Sequence, residues 1–328
     1  MTSSKNKLHK NDTSAHEQEA FWSQGEFQSF IGKNNLTLHY AHFFNKIGAP
    51  VIVIASGRSE SYLKYKETIF ELYQQGYSVF ILDHRGQGLS ERMLINTHKG
   101  YIEDFDDYAH DLYQFITTIV NPASVDSAPY LLAHSMGCAI SLRMFQLFPQ
   151  VVKKAVLLSP MIAINTGILP HFLASFIVNI GRVINHIFSN EPWFFIGLSR
   201  YKAKPFYDNQ LTHCKKRYQK TINLYEEETS IQLGGVTIHW LSEALKAEHN
   251  IFSNLDKIHT PLCVFQAGND NIVDNKKQNL FCDELNQLAP QLSAKTPIVI
   301  EGAWHELLFE TDEIRTQVIT KTLQFFES

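Results

Sequence analysis

The sequence predicts an α/β architecture: a mostly parallel sheet with helices on both faces, interrupted by a helical cap insertion. Three observations carry this. Short apolar runs recur along the chain without alternation, as expected of strands covered on both faces. Segments of helical spacing separate them, the pattern of a parallel sheet with crossover helices. Between about Met161 and Asn250 the alternation lapses, and only helical segments remain.

Residues 1–25 begin with a polar stretch of mixed charge and read as a flexible arm. Leu36–Phe44 alternates apolar with polar and reads as a half-buried strand. Pro50–Ala55 (PVIVIA) is a continuous apolar run, hence a covered strand. Tyr65–Gln75 has helical spacing, and Tyr77–Leu82 is again a buried strand. Phe105–Val120 is helical, with Tyr108, Leu112, Phe115 and Ile116 on one face. Pro129–Ala133 is a strand, Cys138–Phe148 a helix and Val156–Leu158 a strand. After the insertion come a strand at Pro261–Gln266, a helix at Lys276–Leu288, a strand at Pro297–Ile300 and a helix at Asp312–Phe326. The chain thus divides into the arm (1–25), a core (26–160 and 251–328) and an inserted cap (161–250).

Composition sets outer bounds. With 328 residues, 44% hydrophobic and 19% charged, the chain can bury a large core and is not disordered. A net charge of −4 gives no reason to expect nucleic acid as a partner. The four cysteines, Cys138, Cys214, Cys263 and Cys282, form no C-x-x-C pair and read as free thiols of a reducing compartment. No apolar segment follows the early lysines, so a secretory signal is not expected. The longest stretch free of Lys, Arg, Asp and Glu, Ala155–Gly181, is broken by Ser159-Pro160, Asn165-Thr166-Gly167 and Pro170-His171, which argues against a spanning helix. The expectation is a cytoplasmic protein.

The chemistry is concentrated in three places. In Leu131-Leu132-Ala133-His134-Ser135-Met136-Gly137, a strand enters a small-x-Ser-x-small turn and a helix leaves it. Small residues flank the serine because the turn must be sharp enough to expose its hydroxyl above the sheet edge. This is the pattern expected of the nucleophile elbow in an α/β-hydrolase fold, with Ala133 in place of the usual first glycine. An ordinary serine capping a helix is the competing reading, and it requires the catalytic partners to be missing. In this fold the triad order is Ser, acid, His. Of fifteen histidines, only His305 lies beyond residue 260, just after the last expected strand. Asp270, in the Gly268-Asn269-Asp270 turn, is the expected acid; Asp274 is the runner-up and the better candidate for a helix cap.

An oxyanion hole needs backbone N–H groups aimed at the developing charge. The expected donors are Met136, directly after the serine, and Arg58 in the Ser56-Gly57-Arg58 loop after the strand Pro50–Ala55. Gly57 permits the tight turn and is a candidate substrate contact. The Arg58 side chain could instead meet an anionic substrate, and the sequence leaves both uses open. The third feature, Asp83-His84-Arg85-Gly86-Gln87-Gly88-Leu89-Ser90, invites a dinucleotide reading. It fails because Glu91 holds the third glycine position, so a structural turn beside the oxyanion loop is expected. No metal-ligand spacing occurs, and no cofactor is expected.

With these residues in view, the chain resembles the α/β-hydrolase family that includes monoacylglycerol lipases, and more closely its bacterial lysophospholipases. The resemblance runs from about Phe27 to Phe326. It rests on Ser56–Tyr62, Asp83–Ser90, His134–Gly137, Asn209–His213, Gly234–Trp240 and Ala303–Glu310. It implies cleavage of a fatty-acyl ester from a lysophospholipid or monoacylglycerol through an acyl-enzyme, with Asp270 as the acid. A peptidase, or a catalytically dead receptor on the same scaffold, are the rival readings.

The cap offers two hints about the substrate. Ile162, Ile164, Ile168, Leu169, Phe172, Leu173, Phe176 and Ile177 could line an acyl channel, with Ile168, Phe172 and Phe176 as candidate contacts; packing of cap on body explains them equally well. Up to Leu224 the cap also carries an excess of Lys and Arg, including Lys215, Lys216, Arg217 and Lys220. That excess suggests either a solvated face or peripheral contact with an anionic membrane, such as the inner face of the cytoplasmic membrane.

Overall fold

The computed structural model describes residues 16–124, 128–165, 171–292 and 296–328. Within them an eight-stranded sheet is formed by β1 (Glu26–Ile31), β2 (Thr37–Phe43), β3 (Val51–Ala55), β4 (Ser78–Leu82), β5 (Tyr130–His134), β6 (Ala155–Leu158), β7 (Leu262–Ala267) and β8 (Ile298–Ile300). Their order across the sheet is β1-β2-β4-β3-β5-β6-β7-β8. β1 pairs antiparallel with β2, and β2 antiparallel with β4; every other pairing is parallel. The runs VIVIA, SVFIL, YLLAH, AVLL and LCVFQA are buried along their whole length, as both-faces-covered strands must be.

The helices are α1 (16–22), α2 (Lys66–Gln74), α3 (Asp106–Phe115), the short α4 (Asn121–Ala123), α5 (Met136–Leu147), α6 (His171–Phe188), α7 (Lys215–Glu227), α8 (Ile238–Ser253), α9 (Asn275–Leu288) and α10 (Asp312–Glu327). One apolar cluster holds α3, α5 and α8 against one face of the sheet. A second holds α2 and α10 against the other. α5 is enclosed almost all round; its one guanidinium, on Arg143, is held by Asp106.

Three differences from the expectations have local causes. Residues 16–22 of the expected arm are helical, and Phe21 is buried among Phe43, Phe70 and Tyr73; residues 1–15 lie outside the described residues. Strand β1 was not anticipated because its residues are almost all exposed and it is defined by its ladder to β2. The expected cap boundary at 250 falls inside α8. Trp240, Ala244, Ala247 and Ile251 bury one stripe of that helix in the core cluster, and Gln146 Nε2 donates to the Ile251 carbonyl. Among the described residues, no strand of the sheet comes from the segment between β6 and β7. Among the described residues no helix is long and apolar enough to cross a membrane.

Candidate active site

Parallel pairing puts the C-terminal ends of β3, β5, β7 and β8 along one edge, and the loops leaving those strands carry Arg58, Ser135, Asp270 and His305. Ser135 follows β5 directly and sits at φ 51°, ψ −113°, a backbone state that strains a residue with a Cβ. Its surroundings hold it there. Its N–H donates to the Leu158 carbonyl, and its own carbonyl accepts from Cys138 and Met161. Gly137 lets α5 approach β3: a Cβ at that position would lie 2.2 Å from the Ala55 carbonyl oxygen. The second small residue of the elbow is therefore sterically required, whereas Ala133 is accommodated inside β5.

Ser135 Oγ and His305 Nε2 are 2.8 Å apart, and His305 Nδ1 is 2.8 Å from Asp270 Oδ2. An ionised carboxylate only accepts, so Nδ1 carries the imidazole proton and Nε2 is left free to accept from the serine hydroxyl. Asp270 Oδ1 accepts from the N–H groups of Ile272 and Val273, which fixes the carboxylate. Asp274 lies at the start of α9, where its carboxylate accepts from Lys276 and Lys277 N–H. The structure thus brings Ser135, His305 and Asp270 together and puts Asp274 at a helix cap.

Met136 opens α5, so its N–H belongs to the first turn, whose donors have no intrahelical acceptor. On the β3 side, Gln87 clamps the loop expected to supply the second oxyanion donor: its Nε2 donates to the carbonyls of Gly57 and Glu60, and its Oε1 accepts from Ser59 N–H. Asp83 adds a second clamp, accepting from Ser61 Oγ, Tyr62 N–H and Leu89 N–H. Burial pushes the Asp83 carboxyl up to about 7. Gly88 has φ 56° and passes so close that a Cβ there would overlap the Asp83 carboxylate. The Asp83–Ser90 motif is thus a turn that supports the loop.

Sequence reasoning missed a buried ionic network beneath the site. The Glu60 carboxylate accepts from Gly57 N–H (2.5 Å), Tyr65 Oη (2.6 Å) and Lys64 Nζ (2.7 Å). Lys64 also reaches Glu306, the neighbour of His305, at 2.6 Å. His134 lies between Glu60 (3.3 Å) and the His305 carbonyl oxygen (3.4 Å). Burial alone would raise the Glu60 carboxyl, but Lys64 and His134 outweigh it and hold the group well below its ordinary value. The local part of the network, Gly57, Lys64 and Tyr65 around Glu60, spans only nine residues of sequence; His134 and Glu306 are distant in the chain. Gly57 is packed into this network, where a Cβ would stand 2.8 Å from His134 Nδ1. Its environment is that of a packed turn.

Residues 211–213, from the segment between β6 and β7, grip the loop that carries His305. Leu211 accepts from Glu306 N–H, Thr212 Oγ1 donates to the Phe309 carbonyl, and the buried Glu310 accepts from Trp304 and His213 N–H. The expected acyl channel is divided. Ile162 is buried in the core cluster, and Ile168 lies outside the described residues. Phe172 and Phe176 are exposed, at 76% and 60%. They point outward because α6 packs on α8 through its narrower face: Val178 and Asn185 are buried, and Gly181 sits over Ile238.

A Ser–His–Asp relay at the carboxyl edge of a parallel sheet, with its serine on a strained strand-to-helix turn, defines a serine hydrolase of the α/β-hydrolase fold. The chain belongs to the family described as serine aminopeptidase, S33, whose model matches residues 49–312. Lysophospholipase L2 of Escherichia coli K12 is 35% identical over 306 residues, covering 93% of this chain and 88% of that protein. A monoglyceride lipase of Rattus norvegicus is 25% identical, covering 85% and 84%. A solved soluble variant of monoglyceride lipase from Saccharomyces cerevisiae superposes with a TM-score of 0.69 at 16% identity, over 92% of this chain and 94% of that one. At that identity the likeness is one of fold.

Proposed function

We propose that the chain is a lysophospholipase that cleaves the acyl ester of a single-chain glycerophospholipid. The observation carrying the chemistry is the aligned Ser135–His305–Asp270 relay. The likeness over nearly the full chain to a protein named lysophospholipase L2 supports the substrate class. In this reading Ser135 attacks the ester carbonyl while His305 takes its proton. Asp270 holds the imidazole tautomer and stabilises the imidazolium, and the N–H groups of Met136 and Arg58 receive the oxyanion. His305 then protonates the leaving alcohol, and water, deprotonated by His305, releases the fatty acid. A panel of lysophospholipids, monoacylglycerols of the same acyl chain and aminoacyl amides tests it. The highest kcat/KM is expected on a lysophospholipid. A higher value on the monoacylglycerol would make the chain a glyceride lipase, and one on an amide a peptidase.

The same reading places the protein at a lipid surface, from the cytoplasmic side. Charge is a weaker basis for this than the sequence suggested, because Arg217 is committed to Glu67 and Asp312. The stronger basis is apolar. Phe172, Phe176, Val183, Ile187 and Phe188 on α6, with Ile196 beyond it, are each more than half exposed. Such a patch marks an interaction surface, and each large side chain moved into lipid contributes roughly 1.5–3 kcal/mol. The variant Phe172→Ser/Phe188→Ser should sediment with vesicles much less than wild type, while Lys215→Gln/Lys216→Gln should be nearly unaffected. Docking through α6 is rejected if the lysine pair alone releases the protein, or if wild type does not sediment.

A further inference from the structure

Two guanidiniums, those of Arg58 and Arg92, lie where the loops after β3 and β4 meet the segment 230–234. Six of the chain's arginines are buried or half-buried. Arg85, Arg143, Arg217 and Arg315 each hold a carboxylate: Asp111, Asp106, Glu67 and Glu71 respectively. Arg58 and Arg92 form no ion pair among the described residues. Arg58 Nη1 donates to the Gly234 carbonyl (3.0 Å). Arg92 donates to the carbonyls of Ser230 (3.0 Å) and Ser90 (3.3 Å), and its buried Nε has no partner among the described residues. Burial depresses both groups; Tyr108 opposes this for both, with Tyr225 also acting on Arg58 and Asp83 on Arg92. Asp83 itself is taken up by Ser61, Tyr62 and Leu89.

Both guanidiniums reach one short stretch of the cap, Ser230–Gly234, and that stretch is knitted to the loop carrying His98. Gly234 N–H donates to the His98 carbonyl, and Gly100 N–H to the Gly235 carbonyl. His98 Nδ1 is also buried without a partner among the described residues. Its imidazole is depressed by burial, then by Arg200 and Arg92, so a third guanidinium stands within electrostatic range. Desolvating cations without a counter-charge is costly, and a bound anion removes the cost. We infer that Arg58 and Arg92, with Arg200 at the rim, form the binding site for the phosphate of the substrate head group, between the oxyanion loop and the cap. The reach fits. In a 1-acyl lysophospholipid, phosphorus lies six bonds from the ester carbonyl carbon, as many as an arginine's terminal nitrogens lie from its Cα, and in the 2-acyl isomer one bond fewer. With the oxyanion at Arg58 N–H, the phosphate therefore falls within reach of the same residue's guanidinium, where paired N–H donors suit phosphate oxygens.

This inference rests on the lysophospholipase reading, and its test separates the two. In Arg92→Gln, the ratio of kcat/KM on a lysophospholipid to that on the monoacylglycerol of equal chain length should fall roughly tenfold to a hundredfold, the effect of losing charge-assisted hydrogen bonds. Arg200→Gln, at an exposed position that leaves folding undisturbed, should lower the same ratio less. In parallel, sn-glycero-3-phosphocholine should inhibit hydrolysis of a neutral short-chain ester competitively in wild type, and more weakly in Arg92→Gln. Inorganic phosphate should inhibit less well than the phosphodiester; equal inhibition would assign the pocket to free phosphate and overturn the head-group site. An unchanged ratio in both variants, together with no inhibition of wild type, would overturn the site and leave the lysophospholipase reading standing. Arg92-dependent inhibition in a wild type that prefers monoacylglycerol would keep the anion site and remove the substrate reading.

Discussion

Ser135→Ala is expected to lower kcat by roughly 10⁴ to 10⁶ while leaving the fold intact. The nucleophile oxygen is lost, and neither the imidazole nor the oxyanion donors can form the acyl-enzyme without it. The fold should survive because the strained turn is held by backbone bonds from Leu158, Cys138 and Met161 and by the contact of Gly137 with β3, none of which uses the hydroxyl. Circular dichroism and thermal melting would check the fold, and single-turnover kinetics the chemistry. A fluorophosphonate should label wild type on the peptide containing Ser135 and leave the variant unlabelled. Retention of a tenth of wild-type kcat in a clean preparation would remove Ser135 from the role of nucleophile.

Asp270→Asn should have the next largest effect, on the order of 10⁴ in kcat. The amide oxygen can still accept from Ile272 and Val273 N–H, so the loop keeps its shape. The amide nitrogen then faces His305 Nδ1 and donates to it, which forces the imidazole proton onto Nε2. That nitrogen can no longer accept from Ser135. Asp274→Asn is the matched control. Asparagine caps a helix nearly as well as aspartate, so stability should change by less than about 1 kcal/mol and kcat hardly at all. The reverse ranking of the two variants would move the acid to Asp274.

The candidate triad was legible because each member obeys a local rule. Ser135 is marked by small neighbours between a strand and a helix, His305 by its place after the last strand, and Asp270 by its place in the turn after β7. The network of Glu60, Lys64, His134 and Glu306 was not legible, since it joins the loops after β3 and β8 to the last residue of β5, which only the sheet order brings together. Gln87 escaped for the same reason: its glycine neighbours drew attention to a possible phosphate turn, while its amide acts across the gap on the oxyanion loop.

The sequence by itself determined the parallel sheet, the helical character of the segment between β6 and β7 and the order of the candidate triad, because periodicity and turn chemistry are properties of neighbouring residues. Tertiary structure alone decided what each side chain meets. It turned Phe172 and Phe176 outward, since the face of α6 carrying Val178, Gly181 and Asn185 packs more closely on α8 than a row of aromatic rings would. It committed Arg217 to carboxylates from α2 and α10, and among the described residues it left Arg58 and Arg92 bonded to carbonyl oxygens. Whether a charge is paired depends on chain segments far apart in sequence, and that pairing separates an arginine that holds the fold together from one available to a ligand.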